Sequence, residues 1–179
     1  MILIINICKE KLHELEFVKP IADILRKRKI NFEIKHYKEI NEKYAKKFDK
    51  IIIAGTSLKD NQFLDSVPKL HWIKSYNKPI LGICGGMQIL GLIFKGVLRI
   101  ENEIGLLDVD FKKRFLGIEG KRYVYNLHGF YVKSDEFEIL AESNSKVPQA
   151  VKHKTKPFYG TLFHPEVRNK KLIEKFCRI

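Results

Sequence analysis

Apolar positions along the chain recur with two periods, and these alternate. Ile2–Ile7 is a short, near-continuous apolar run, the pattern of a strand buried on both faces. Over residues 11–28, Leu12, Leu15, Val18, Ile21, Ala22, Ile24 and Leu25 fall at helical spacing. Phe32–Tyr37 reads as a second strand, and the polar stretch 41–48 as a short helix. The run KIIIA at Lys50–Ala54 is a third strand that enters a Gly55-Thr56-Ser57 turn. Phe63–Tyr76 has helical spacing interrupted by Pro68, Pro79–Ile83 is a fourth strand, and Gly86–Phe94 is a short apolar helix.

After Gly96 the texture changes. Short strand-like pieces follow at Val97–Ile100, Gly105–Phe111, Arg122–Leu127, Phe137–Ala141, Gln149–Lys152 and Phe158–Phe163, separated by Gly and Asn/Asp/Ser clusters. A last helix covers Asn169–Arg178. The pattern predicts an α/β fold: an open, mostly parallel twisted sheet with helices on both faces, extended by antiparallel strands in the C-terminal half. No repeat, low-complexity stretch or linker interrupts it, so residues 1–179 are expected to form one domain.

Composition narrows the function. At 45% hydrophobic residues the chain can bury a core, which excludes wholesale disorder. No run approaches the roughly 18 apolar residues a membrane-spanning helix needs. The N-terminal stretch lacks a basic region followed by a cleavage site, so a cytoplasmic protein is expected. The charge is large: 34 basic against 21 acidic residues, a net of +13. Its distribution weakens a nucleic-acid reading, because both halves carry similar excesses and 27 of the basic residues are Lys against 7 Arg. Specific phosphate and base contacts favour the planar Arg fork. Neither nucleic acid nor membrane is therefore expected as a partner.

Three cysteines are too few for a disulfide framework and lack zinc spacing. Cys8 and Cys177 read as small core residues. Cys84 stands in Gly82-Ile83-Cys84-Gly85-Gly86-Met87-Gln88, between a strand and a helix. Small residues on both sides suit a tight strand-to-helix elbow that lifts a nucleophile to the sheet edge. The exposed N–H groups of the following helix favour a thiolate and can receive an oxyanion. A second loop, Phe163-His164-Pro165-Glu166, also follows an apolar strand. His164 can act as base to a thiol, and Glu166 can orient the other ring nitrogen, which is the set nucleophilic acyl transfer requires.

The elbow GICGGMQ and the C-terminal FHPEV closely resemble the class I glutamine amidotransferases, whose elbow reads G-[IV]-C-x-G-x-Q, and the resemblance extends over essentially the whole chain. It implies a flavodoxin-like core and, residue by residue, Cys84 as nucleophile, His164 as base and then acid, and Glu166 as the orienting carboxylate. The N–H of Gly85 and the turn at Gly55 and Thr56 would stabilise the oxyanion. Gln88 and the loop Asn126-Leu127-His128 would hold L-glutamine. This turn reads AGTS where the family commonly has Gly-Gly-Pro, and Phe130 stands where the GMP synthase branch, the most similar one, usually has Asp. The chemistry implied needs no metal or organic cofactor, and the ammonia would go to a separate synthase subunit. Two alternatives stay open: a stand-alone γ-glutamyl hydrolase, and a non-catalytic regulatory module.

Overall fold

The doubly buried runs of the N-terminal half become the centre of a nine-stranded sheet, seen in a computed structural model describing residues 1–179. Strand β1 (Ile2–Asn6) sends Ile2 and Ile4 to one face and Leu3 and Ile5 to the other, and all four are buried. It pairs in parallel with β2 (Phe32–His36) and β3 (Lys50–Ile53), and the parallel series continues through β4 (Ile80–Ile83) to β9 (Phe158–Thr161). The order β2-β1-β3-β4-β9 is that of a flavodoxin-like core. The antiparallel extension consists of β5 (Val97–Phe115), β6 (Ile118–Lys133), β7 (Phe137–Glu142) and β8 (Pro148–His153).

Apolar layers cover both faces, as expected. On one, α1 (Lys11–Phe17), α2 (Lys19–Lys27) and α5 (Lys171–Phe176) bury Phe17, Ile21, Leu25, Leu172 and Phe176 against Ile2, Ile4 and Ile52. On the other, α4 (Gly85–Ile93) and the segment 62–75 pack Leu90, Ile93, Phe63, Leu70 and Ile73 against Leu3, Ile5 and Ile53. Each such side chain contributes about 1.5–3 kcal/mol by leaving water. The short helix α3 (Glu42–Ala45) starts at Asn41, whose side chain accepts from the Tyr44 N–H at 2.9 Å. No helix is long and apolar enough to cross a membrane.

Four expectations change. The helix expected over 11–28 is two, meeting at Val18, because Pro20 has no N–H to continue the first helix. Leu12 and Leu15 consequently point to solvent rather than the core. Gln62–Ser75 forms 3₁₀ turns around Pro68 instead of an α-helix, while its apolar residues still face inward. The separate pieces Val97–Ile100 and Gly105–Phe111 are one long strand, and Arg122–Leu127 is the middle of its partner. A register shift between Ile100 and Glu103 absorbs the break in alternation. The hairpin closes at Leu116 and Gly117, both at positive φ (44° and 85°), the backbone of a primed two-residue turn. The closing helix is shorter than expected, covering Lys171–Phe176.

Candidate active site

Strands β3, β4 and β9 run parallel, so their carboxyl ends deliver three loops to one edge. Cys84 follows β4 directly and begins α4. Its backbone sits at φ 48°, ψ −106°, a conformation costing about 1–3 kcal/mol for a residue with a side chain. Close packing holds it there. A Cβ on Gly86 would fall 2.3 Å from the Ile53 carbonyl oxygen, and one on Gly82 would fall 2.6 Å from the Gly86 carbonyl, so both glycines are sterically required. The Cys84 N–H donates to the Thr161 carbonyl at 2.7 Å, tying the elbow to β9. At the start of α4, the first-turn N–H groups, that of Gly85 first, have no intrahelical acceptor.

His164 and Glu166 leave the end of β9. The His164 N–H donates to the Tyr125 carbonyl at 2.8 Å, fastening this loop to β6. The His164 Nδ1 lies 2.7 Å from Glu166 Oε1, both side chains being essentially inaccessible, while Nε2 has no hydrogen-bond partner. Phe17 packs on the imidazole at 5.4 Å between ring centroids. Burial alone would favour the neutral ring, but the charges of Glu166 and Cys84 and the hydrogen bond to Glu166 outweigh it and hold the His164 pKa well above 6.5. Gly55 completes the approach: a Cβ there would stand 2.8 Å from His164 Cε1 and 3.3 Å from Cys84 Cβ. The other two thiols differ in character. Burial pushes both Cys8 and Cys177 up to about 11.

In front of Cys84 lies a narrow pocket, walled by the turn after β3 (Thr56, Asp60), the elbow (Gly85, Gln88) and β6 (Leu127 to Phe130). The Cys84 sulfur lies 3.7 Å from the Leu127 carbonyl. Gln88 lines the wall, but its amide nitrogen is committed to the Phe130 carbonyl at 2.8 Å, so it also braces the loop. His128 lines the pocket with its ring fixed from behind by Glu103 at 3.1 Å. Asn126 does not line it; its side chain is fully buried behind the mouth with both amide atoms unpaired.

The sequence reading missed Asp60 and Glu103. Glu103 is buried and accepts from His128 and from Gln149 Nε2 (2.7 Å). Burial raises its pKa, and the donors of His128, Ser143 and Gln149 together bring it below the usual value. Nothing local marks it, because it faces inward only through the bulge in β5. No cluster of three or more His, Cys, Asp or Glu side chains is arranged to hold a metal ion.

The family model for class I glutamine amidotransferases matches residues 13–177. The glutamine-hydrolysing GMP synthase subunit of Methanobrevibacter smithii is 37% identical over 106 residues, 55% of this chain and 56% of that one. Its Pyrococcus furiosus namesake is 36% identical over 124 residues, 65% of each chain. The matched stretches thus span somewhat less than two thirds of these relatives. A Thermoplasma acidophilum structure described as a GMP synthase subunit superposes with a TM-score of 0.87 at 23% identity, covering 99% of this chain and 92% of that one. A Thermotoga maritima glutamine amidotransferase gives 0.72 at 20%, covering 98% and 81%. At these identities the superpositions speak for the fold. The match over 13–177, meeting a sheet edge that carries Cys84, His164 and Glu166 together, makes this chain a member of the class I glutamine amidotransferase family.

Proposed function

We propose that this protein hydrolyses L-glutamine and delivers the ammonia to a separate synthase subunit, serving as the glutamine-hydrolysing part of a GMP synthase. The observation that carries the reading is the buried His164–Glu166 pair, 2.7 Å from nitrogen to oxygen, set beside a cysteine at a strained strand-to-helix elbow. The thiolate of Cys84 attacks the side-chain carboxamide of glutamine. The Gly85 N–H and the Gly55-Thr56 turn stabilise the tetrahedral oxyanion. Protonated His164, held by Glu166, gives its proton to the leaving ammonia. A γ-glutamyl thioester remains on Cys84; water, deprotonated by His164, hydrolyses it to glutamate and restores the thiol.

The names of the relatives support the choice of synthase. One sheet running through the chain supports reading residues 1–179 as a single catalytic domain. The synthase subunit fits the outward face of the β5–β6 hairpin. There Ile104, Leu106 and Tyr123 are 59%, 58% and 56% exposed, on the same pair of strands as Leu127 beside the nucleophile.

Glutamate release from L-glutamine, measured for the chain alone and with the synthase subunit, tests the reading. Activity that rises with the synthase and disappears in Cys84→Ala supports it. Undiminished hydrolysis by Cys84→Ala overturns it, and full activity that no synthase alters favours the stand-alone γ-glutamyl hydrolase.

A further inference from the structure

Asp60 has no role in the chemistry above, yet it is buried in the wall of the pocket and its Oδ2 collects two donors from different loops. The Thr56 hydroxyl donates to it at 2.7 Å, and the backbone N–H of Lys9, between β1 and α1, donates at 2.6 Å. The turn is held from a second side as well, since the Cys8 thiol donates to the Gly55 carbonyl at 3.6 Å. The chain has no cis peptide bonds. In a trans peptide the N–H points opposite to the carbonyl. With the Gly55 oxygen turned to Cys8, the Thr56 N–H is turned away from Cys8, and no acceptor within the protein takes it. Thr56 lines the pocket that contains Cys84.

We propose that Asp60 is a positioning residue: by anchoring the Thr56 hydroxyl to the β1–α1 loop, it fixes the Gly55–Thr56 peptide with its N–H presented to the oxyanion that forms at Cys84. The inference rests on the proposed glutaminase reading. Its physical content is preorganisation. A donor already aimed at the developing charge needs no rearrangement during the reaction, whereas a turn free to rotate this peptide would present a carbonyl oxygen to a negative charge. The contribution arises in the transition state, so it belongs in kcat and not in substrate binding.

Three variants test it, assayed for glutamate release in the full chain with the synthase subunit. Thr56→Val removes the hydroxyl at nearly constant shape, Thr56→Ser keeps it, and Asp60→Asn removes the charge. Thr56→Val and Asp60→Asn are expected to lower kcat about ten-fold with KM within about two-fold of wild type, a fraction of the 10²–10³-fold loss typical when a whole oxyanion donor is deleted. Thr56→Ser is expected to retain wild-type kcat. Should Asp60→Asn fail to fold, the Val/Ser pair decides alone. Wild-type kcat in Thr56→Val, a loss confined to KM, or equal losses in Thr56→Val and Thr56→Ser would each overturn the proposal. If wild type itself releases no glutamate, or Cys84→Ala releases as much, the glutaminase reading falls and takes this inference with it. An active wild type matched by Thr56→Val sinks only the inference.

Discussion

Three cysteines share one chain and differ only in surroundings, which makes reactivity a matter of position. Cys8 and Cys177 are raised to about 11 by burial, while Cys84 stands at a helix start near the His164–Glu166 pair. A diazoketone analogue of glutamine at pH 7.5 is expected to label Cys84 alone, one adduct per chain by peptide mass spectrometry; label on Cys8 or Cys177 would contradict the assignment. Glu103 gives a prediction about pH. Its folded pKa lies below its ordinary 4.5, so it contributes stability above that value and loses it as pH falls through the folded value. Glu103→Gln is therefore expected to melt lower than wild type at pH 7, with the gap closing below about pH 4.5. A gap that stayed constant or widened on acidification would show that the carboxylate charge is not what His128 and Gln149 recognise. Cys84 and His164, the proposed nucleophile and base, could be singled out in the sequence because each sits in a contiguous motif. Asp60 and Glu103 were not, because their partners are Thr56 and Lys9 in one case and His128 and Gln149 in the other, brought near only by the fold.

Strands β1, β3 and β4 of the parallel half followed their apolar runs closely, since a strand buried on both faces leaves little room for another reading. The antiparallel half was read in fragments. Its long hairpin exposes much of both strands, so hydrophobic alternation is weak, and Gly105 and Gly120 look like boundaries although the chain passes through them. The tight turn was hidden too, because Leu116-Gly117 lacks the Asn-Gly or Asp-Gly signature of its type. At Gly117 the nearest atom to an added Cβ would be 3.6 Å away, so space is available and the positive φ is the constraint. Gly117→Val is expected to cost about 1–2 kcal/mol and Gly117→Asn clearly less, read by chemical denaturation. Equal costs would mean that the turn does not keep this backbone in solution.

For the whole molecule, the proposed docking of a synthase subunit falls on the hairpin face where Ile104, Leu106 and Tyr123 are exposed. Leu106→Lys and Tyr123→Lys are expected to weaken binding to the synthase about ten-fold or more, leaving the melting temperature and the glutaminase activity of the isolated chain unchanged. Binding constants from titration calorimetry decide the point, and unaltered affinity in both variants would move the docking face elsewhere.

The backbone bond from His164 to Tyr125 carries a further consequence. Cys84 is anchored in the parallel sheet through Thr161, while His164 hangs partly from β6 in the hairpin. Alignment of the two therefore depends on both halves of the sheet being in register at once. On heating, fraying of the hairpin would disarm the enzyme while the parallel core was still folded, so inactivation should precede melting.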